Sequence, residues 1–189
     1  MELSAMVDEC EAVRAGHSYS LAASIIPSDR LDTVRDAVTA LTPRNRSKLH
    51  WHDAETTERR LQLVQLVADL DAIEHVAVVL STRPAERPER RRRHCLGRLL
   101  PELHDLGVSR VTAEAREAKQ NQRDRQFLDG LRAQGLVPAT LRLDHRPGPA
   151  EPALAVADIV AGAVLASYSG DGRFRKVVEH KLTELVIDP

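Results

Sequence analysis

The chain has 189 residues, of which 42% are hydrophobic and 29% are charged, and its formal net charge is −1. This composition is typical of a globular domain and excludes a polycation that is drawn to nucleic acid as a whole. No apolar run reaches the ~18 residues that span a bilayer, and two cysteines are too few for a disulfide framework or a zinc ribbon. We therefore expect a single cytoplasmic domain over residues 1–189 that does not associate with membranes.

The first half of the chain predicts an early pair of strands followed by helices. The turn between the two strands is expected around Gly16, Ser28 is a candidate N-cap, and Asp53 is expected to cap a second helix. The predicted elements are a strand at 3–7, a strand at 17–26, a helix at 28–41, a strand or extended loop at 48–52, a helix at 53–70 and a strand at 74–80.

The second half predicts helices and strands in alternation. Its elements are a helix within 83–106 that is interrupted or restarted at Pro101, a strand at 107–115, a helix at 118–134, a strand at 136–144, an exposed loop at 145–152, a helix from 153 to near Gly170 and a short amphipathic tail from Arg173. A hairpin followed by crossovers predicts an α/β fold with a mixed central sheet and helices on its faces.

Asp158 is the most informative residue, because it is the only charged residue in the apolar stretch 153–166. A stretch so rich in Ala, Val and Leu predicts a helix that is buried on most sides. An ionised carboxylate there is costly unless it is paired, hydrogen-bonded or bound to a metal ion. Asp158 is therefore a candidate site residue, and the alternative is a structural pair with a nearby arginine.

Acidic residues at strand ends are candidate companions for Asp158. Asp8 and Glu9 follow the first strand, and Glu114 ends the strand at 107–115. If both strands are central and parallel, their carboxyl ends share one edge of the sheet, where open sheets place their sites. Carboxylates that converge there repel one another and need Mg²⁺ or Mn²⁺ to stay charged. The structural alternatives are a polar turn after the first strand and an ion pair of Glu114 with a neighbouring arginine.

The segment 48–53 is a second polar cluster. His50 and His52 are two residues apart, so on an extended chain they face the same way and suit a metal or phosphate contact. Glu55 is the nearest third ligand, although the spacing is not a zinc signature. In the alternative interpretation Trp51 packs inward and the histidines face solvent.

The four consecutive arginines Arg90, Arg91, Arg92 and Arg93 form a local basic block. Such a block suits salt-sensitive contact with the phosphate backbone of nucleic acid, and a solvated helix start is the alternative. The sequence contains no Gly-rich phosphate loop and no nucleophile elbow.

The residues around Asp8 and Asp158 resemble a bacterial family known as domain of unknown function 3800. Its members open with a strand that ends in Asp-Glu-Ser-Gly and carry Gln-x-Ala-Asp in a late helix. This chain has Val7-Asp8-Glu9-Cys10 and Ala155-Val156-Ala157-Asp158 at those places. The resemblance spans about residues 3–169.

That family is similar to the ribonuclease H-like superfold, whose nucleases hold two metal ions with carboxylates from the first strand, a later strand and the last helix. The resemblance implies that Asp8, Glu114 and Asp158 are metal ligands and that His50 is a further polar site residue. The chain departs from the family pattern at three places: Cys10-Glu11 replaces Ser-Gly, Ala155 replaces Gln, and Glu114 stands where members more usually have Asp.

The leading hypothesis is a nuclease that depends on Mg²⁺ or Mn²⁺, in which Asp8, Glu114 and Asp158 bind the metal and Glu9 or His50 orients water or transfers a proton. Whether its substrate is RNA or DNA is left open. The alternative is a catalytically inactive module of the same fold that binds nucleic acid or protein, and the departures from the family pattern favour it.

Overall fold

A mixed sheet of six strands organises the computed structural model, which describes residues 2–12, 18–81 and 86–187. The strands are β1 (Leu3–Ala12), β2 (Ser18–Pro27), β3 (His75–Ser81), β4 (Val108–Glu114), β5 (Arg142–Arg146) and β6 (Leu182–Ile187). Their order across the sheet is β5-β4-β1-β2-β3-β6. β2 is antiparallel to both of its neighbours, β1 and β3, whereas β4, β5 and β6 each join through parallel pairing.

Helices cover both faces of the sheet and give the molecule three layers. The helices are α1 (Leu31–Leu41), α2 (Thr57–Asp69), α3 (Pro88–Asp105), α4 (Ala118–Ala133), α5 (Leu154–Tyr168) and α6 (Arg173–Val178). α1, α2, α5 and α6 pack on one face, and α3 and α4 pack on the other. Because side chains alternate along a strand, Met6 and Cys10 of β1 face α5, while Ala5 and Val7 face α3.

α5 is the most buried helix of the described structure, as its apolar sequence predicts. Every residue from Leu154 to Leu165 is buried, and the helix packs across β1 and β2. Within the described ranges, no helix is both long enough and apolar enough to span a membrane.

β1 extends further than the sequence predicts. The expectation ended the strand at residue 7, but pairing with β2 continues through Asp8 and Glu9 to Ala12. The two acidic residues therefore lie within a strand and point to opposite faces of the sheet. The expected turn around Gly16 and the expected helix start at 83 lie outside the described residues.

Several predicted boundaries are wrong for local reasons. Asp53 does not cap α2, because Thr56 accepts a hydrogen bond from Arg59 N at 3.1 Å and the helix begins at the next residue. Ser28 does not cap α1 either, since its hydroxyl contacts Ser4 Oγ at 2.8 Å and a 3₁₀ turn precedes the helix. Residues 48–52 form no strand, and a 3₁₀ turn occupies Trp51–Asp53.

Tertiary packing overrides other expectations from the sequence. α3 runs through Pro101 without interruption, because buried leucines on both sides of the proline outweigh one lost backbone hydrogen bond. The strand expected at 136–144 is β5, which begins only at Arg142. The C-terminal tail contains an additional strand, β6, that pairs with β3 and that the sequence pattern did not predict.

Candidate functional site

Three acidic side chains converge where β1, β4 and α5 meet. Val7 pairs with Ala113 in the parallel β1–β4 ladder, so the next residues, Asp8 and Glu114, are neighbours on the face that α5 covers. Asp158 projects from α5 onto the same region. Asp8 is 8% exposed and Asp158 only 2%.

The electrostatics of Asp8 and Glu114 are those of carboxyl groups that share a proton. Burial raises the pKa of Asp8 to about 9, with further contributions from the hydrogen bond and charge of Glu114 and from the charge of Asp158. Burial also acts to raise the pKa of Glu114, but hydrogen bonds from Asp8 and Lys48 outweigh it and lower that pKa below its usual value. Asp8 is therefore protonated near neutral pH when no metal ion is bound.

Lys48 approaches this cluster from the loop between α1 and α2. Its Nζ lies 2.6 Å from Glu114 Oε1. Burial acts to lower the Lys48 pKa, but Glu114, Asp8 and Asp158 together raise it. Gly148 makes the approach possible, because a Cβ there would lie 2.6 Å from Glu114 Oε1 and 2.7 Å from Lys48 Cδ.

Asp158 is held by the same loop. One oxygen, Oδ2, accepts a hydrogen bond of 2.7 Å from the Trp51 backbone N–H and lies 2.8 Å from His50 Nδ1. The His50 contact is close, but the ring nitrogen is not aligned for a hydrogen bond. This contact with Asp158 raises the His50 pKa. The other oxygen of Asp158, Oδ1, is buried and has no hydrogen-bond partner among the described residues.

Gly162 determines where Trp51 sits. A Cβ at this position, one helical turn after Asp158, would lie 2.2–2.5 Å from three atoms of the Trp51 ring. Trp51 is buried and packs edge-to-face on Phe174, with ring centroids 5.3 Å apart. The absent side chain of Gly162 therefore lets the loop lie against α5 so that the Trp51 N–H reaches Asp158.

The rings of the two loop histidines lie edge to face with their centroids 5.4 Å apart, but they contact different partners. His50 faces Asp158, whereas His52 Nε2 lies 3.6 Å from Cys10 Sγ. The proposed third zinc ligand, Glu55, is exposed. The alternative interpretation is correct about Trp51, which packs inward. It is incomplete about His50, which contacts the buried carboxylate of Asp158 as well as solvent.

Glu9 lies on the opposite face of the sheet from Asp8. Its carboxylate contacts the Arg92 guanidinium and accepts a hydrogen bond from Tyr19 Oη. Arg92 in turn binds Asp124 at 2.8 Å, and the side chains of both are only 4% exposed. A cleft of about 220 Å³ at the strand ends is lined by Asp8, Glu9 and Glu114, so the two faces open into one space.

The arginine block is divided by the helical phase of α3. Arg91 and Arg92 are buried, Arg91 against Glu11 and Arg92 in the network just described. Arg90 and Arg93 instead line a cavity of about 610 Å³ between α3 and α4. The residues that line this groove include Arg87, Arg90, Arg93, Arg123, Phe127 and Gln134.

The carboxylates of Asp8, Glu114 and Asp158 are ligands that suit a hard divalent cation, but they are not arranged around a common centre. Among the described residues, no three His, Cys, Asp or Glu side chains are placed to hold an ion. Nevertheless, Oδ1 of Asp158 is buried without a hydrogen-bond partner among the described residues, and the pKa of the buried Asp8 is raised, so both acids would gain from an added positive charge. Oxygen donors of this kind suit Mg²⁺ or Mn²⁺.

Four residues of the site had no role assigned from the sequence. Lys48 and Trp51 stood in the polar segment 48–53, but nothing local linked them to Glu114 or Asp158. Gly148 lay in a loop that was expected to be exposed, and it is buried. Gly162 offered the one local signal, since a glycine inside an apolar helix often marks a close approach of another group.

Comparisons with solved structures support the fold. No family model and no curated protein matches the chain. A structure of the complex between PCNA and RNase HII from Archaeoglobus fulgidus matches with a TM-score of 0.58 and 13% identity, covering 94% of this chain and 87% of that one. Ribonuclease H2 from Pyrococcus horikoshii OT3 matches with a TM-score of 0.46 and 12% identity, covering 94% and 76%.

The fold is therefore ribonuclease H-like, with a mixed six-stranded sheet and flanking helices that match the RNase HII structure. This confirms the predicted α/β class and its N-terminal strand pair. The finer resemblance to domain of unknown function 3800 stays a prediction, because no family model supports it.

Proposed function

We propose that this protein is a divalent-metal-dependent nuclease that hydrolyses phosphodiester bonds in nucleic acid. The observation that carries the proposal is the convergence of Asp8, Glu114 and Asp158 from β1, β4 and α5, with one buried carboxylate oxygen left without a partner. The ribonuclease H-like fold makes such a reaction plausible, but a fold alone does not define a function.

The residues of the site suit this chemistry in distinct ways. Asp8, Glu114 and Asp158 would hold Mg²⁺ or Mn²⁺, which when bound activates water and stabilises the charge of the departing oxygen. His50 lies against Asp158 and is partly exposed, so it is the better placed of the two predicted proton-transfer groups. Glu9 is engaged by Arg92 and Tyr19, and its part would be to orient groups in the cleft at the strand ends.

The groove between α3 and α4 supports nucleic acid as the partner. Arg87, Arg90, Arg93 and Arg123 line it together with one acidic residue, Glu89, which lies 3.8 Å from Arg123. The groove therefore has an excess of positive charge on a molecule whose net charge is −1. The Arg93 guanidinium lies over the Phe127 ring at 5.3 Å, an arrangement that keeps the cation near the groove. Guanidinium groups bind phosphate oxygens in a bidentate manner. Arg91 and Arg92 have no part in this proposal because they are buried.

Asp158→Asn tests the catalytic proposal. The purified protein is expected to cleave at least one member of a labelled panel of RNA, DNA and RNA–DNA duplexes with Mg²⁺ or Mn²⁺, and the variant is expected to lose at least a hundredfold in rate. Asparagine keeps the size of the side chain and an oxygen that can accept from the Trp51 N–H, so the fold should survive. Asp36→Asn on the exposed surface of α1 is the matched control. Equal activity of Asp158→Asn and wild type would rule out the mechanism.

The rival function is a non-catalytic module that binds nucleic acid or protein. The observation that favours it is the occupation of the carboxylates by Lys48 and His50. Isothermal titration with Mn²⁺ separates the two proposals. Saturable binding that Asp158→Asn abolishes supports the nuclease, and the absence of binding together with retained affinity for nucleic acid supports the module.

A further inference from the structure

Lys48 faces the whole acidic cluster and not only one member of it. Its ammonium lies 2.6 Å from Glu114 Oε1, Lys48 lines one small cavity with Asp8 and Glu114, and the charge of Asp158 also acts on it. The side chain is 28% exposed, and its Cδ packs closely over Gly148. Lys48 therefore supplies positive charge at the place where the three carboxylates meet.

A cation bound by these carboxylates would compete with the ammonium for the same oxygens. Mg²⁺ takes carboxylate oxygens at ~2.0–2.1 Å, and a positive group that donates to one of those oxygens repels the incoming ion. The same contact stabilises the cluster when no ion is present.

The structure also provides a place for a displaced ammonium. Lys48 lines a second, neighbouring cavity, whose other charged or titratable residues are Arg46, His50, Asp53 and Arg59. The Asp53 carboxylate is 39% exposed and lies 3.6 Å from the Arg46 guanidinium. Rotation of the Lys48 side chain away from Glu114 would bring it towards this carboxylate while its backbone stays in place.

We propose that Lys48 is a built-in counter-ion that occupies the acidic cluster in the metal-free protein and is displaced when a divalent cation binds. The inference rests on the proposed metal site and adds a competitor to it. The free energy of cation binding is then the gain from the carboxylate–cation contacts minus the loss of the Lys48 contacts. The cation therefore binds at higher metal concentrations than it would if Lys48 were absent.

Titration of Mn²⁺ into the wild type and Lys48→Gln by calorimetry tests this inference. Removal of the competing charge is expected to lower the Kd at least tenfold. Without metal, Lys48→Gln is expected to melt at a lower temperature than wild type, since the carboxylates lose their counter-ion, and to gain more from added Mn²⁺. Lys48→Arg keeps the charge and should bind Mn²⁺ like the wild type. Lys176→Gln, an exposed lysine on α6, is the matched control.

A second measurement uses the unmodified protein and so does not depend on the folding of a variant. The chain has four lysines, at 48, 119, 176 and 181. With ¹³C-labelled lysine, only the ε-methylene signal of Lys48, assigned through Lys48→Arg, is expected to move towards the position of a solvated lysine as Mg²⁺ is added.

The outcomes distinguish this inference from the proposed function. Saturable binding to wild type with equal or weaker binding to Lys48→Gln, or a Lys48 signal that Mg²⁺ leaves unchanged at saturation, overturns the counter-ion role and leaves the metal site intact. Binding to Lys48→Gln but not to wild type supports the counter-ion role in its strongest form. The absence of binding to either protein overturns the proposed metal site itself.

Discussion

Burial of the Asp8 carboxyl group lowers the stability of the metal-free protein. Its carboxyl group is buried beside two other acids, and the pKa of about 9 means that it accepts a proton well above its usual range. Residues arranged for a function commonly lower the stability of the fold that holds them. The cost of this carboxylate should therefore appear directly in the pH dependence of unfolding.

Asp8→Asn is expected to stabilise the metal-free protein at pH 7 by about 1–3 kcal/mol. Because the native pKa is raised, the wild type has its full stability below the ordinary value of 3.8 and loses this contribution as the pH rises towards about 9. The amide does not ionise, so the advantage of the variant should grow across that interval. Urea unfolding in EDTA between pH 5 and pH 9 measures it, with Asp36→Asn as control. If Asp8→Asn were less stable than wild type at pH 9, the conclusion that the buried Asp8 charge destabilises the fold would be wrong.

Gly162 is the second residue whose role is specific enough to test. Gly162→Ala is expected to destabilise the protein by about 1–3 kcal/mol, because the new methyl group overlaps the Trp51 ring and cannot be accommodated without a shift. The control is Gly130→Ala in α4, where, among the described residues, no atom beyond the local helix backbone lies within 4 Å of the new Cβ. That variant should be more stable than wild type by about 0.5–1 kcal/mol, since alanine is the better helix former. Thermal unfolding of Gly162→Ala and Gly130→Ala provides the comparison. Equal changes in stability would show that the close contact between Gly162 and the Trp51 ring does not require glycine.

At the scale of elements, the arginines on the two sides of α3 have different surroundings. Its inward arginines join the sheet to α4 through ion pairs, and its outward arginines line the groove. A run of four arginines is uniform in sequence, yet the 100° step of a helix sends neighbours in different directions. The groove is therefore a property of the helix pair and not of the run.

Arg90→Gln combined with Arg93→Gln is expected to weaken binding of nucleic acid by about tenfold at low salt. Loss of two phosphate contacts should also reduce the slope of log K against log salt by roughly 1.5–2. Arg98→Gln, on the same helix but outside the groove, should change neither quantity. Fluorescence anisotropy at several salt concentrations provides the measurement. An unchanged salt slope in the double variant would remove the groove from the proposed interface.

At the scale of the whole molecule, a buried ionic network ties the layers together. Asp124 of α4 contacts Arg92 of α3 at 2.8 Å, Arg116 after β4 at 3.1 Å and His145 of β5 at 3.1 Å. Burial acts to raise the Asp124 pKa, but hydrogen bonds from His145 and Arg92 outweigh it and hold the pKa far below its usual value. One carboxylate thus joins two helices and an edge strand on the face opposite α5.

Asp124→Asn is expected to lower the free energy of unfolding by about 3 kcal/mol, because it removes one of the two carboxylates that neutralise the buried Arg92 guanidinium. Since the native pKa is depressed, the contribution of Asp124 is present above its ordinary value of 3.8 and is lost as the pH falls below it. The difference between wild type and variant should therefore shrink in acid. Denaturant titrations from pH 7 to pH 3 measure this, with the exposed Asp129→Asn of the same helix expected to cost less than about 1 kcal/mol. A difference that stays constant in acid would show that charge is not the cause.

Much of the fold follows from local pattern. The alternation of apolar runs and amphipathic stretches predicted the α/β class and most elements, because periods of 2 and 3.6 residues are properties of the chain itself. The isolation of Asp158 within an apolar helix also needed no structure to be noticed. β6 escaped prediction because an edge strand of six residues is defined by its pairing with β3 and has no strong pattern of its own.

The sequence by itself determined which residues are chemically unusual: an acid in an apolar helix, α5, two acids that follow the apolar run of β1, an acid at the end of β4, and a polar segment at 48–53. Only the tertiary structure decided how they are grouped. It separated Glu9 from Asp8, because β1 continues and alternates its side chains, and it brought Lys48 to Glu114 across 66 residues of chain. Ion-pair partners depend on which surfaces meet after folding. Local periodicity determines helices and strands, but it does not specify which of their surfaces pack together.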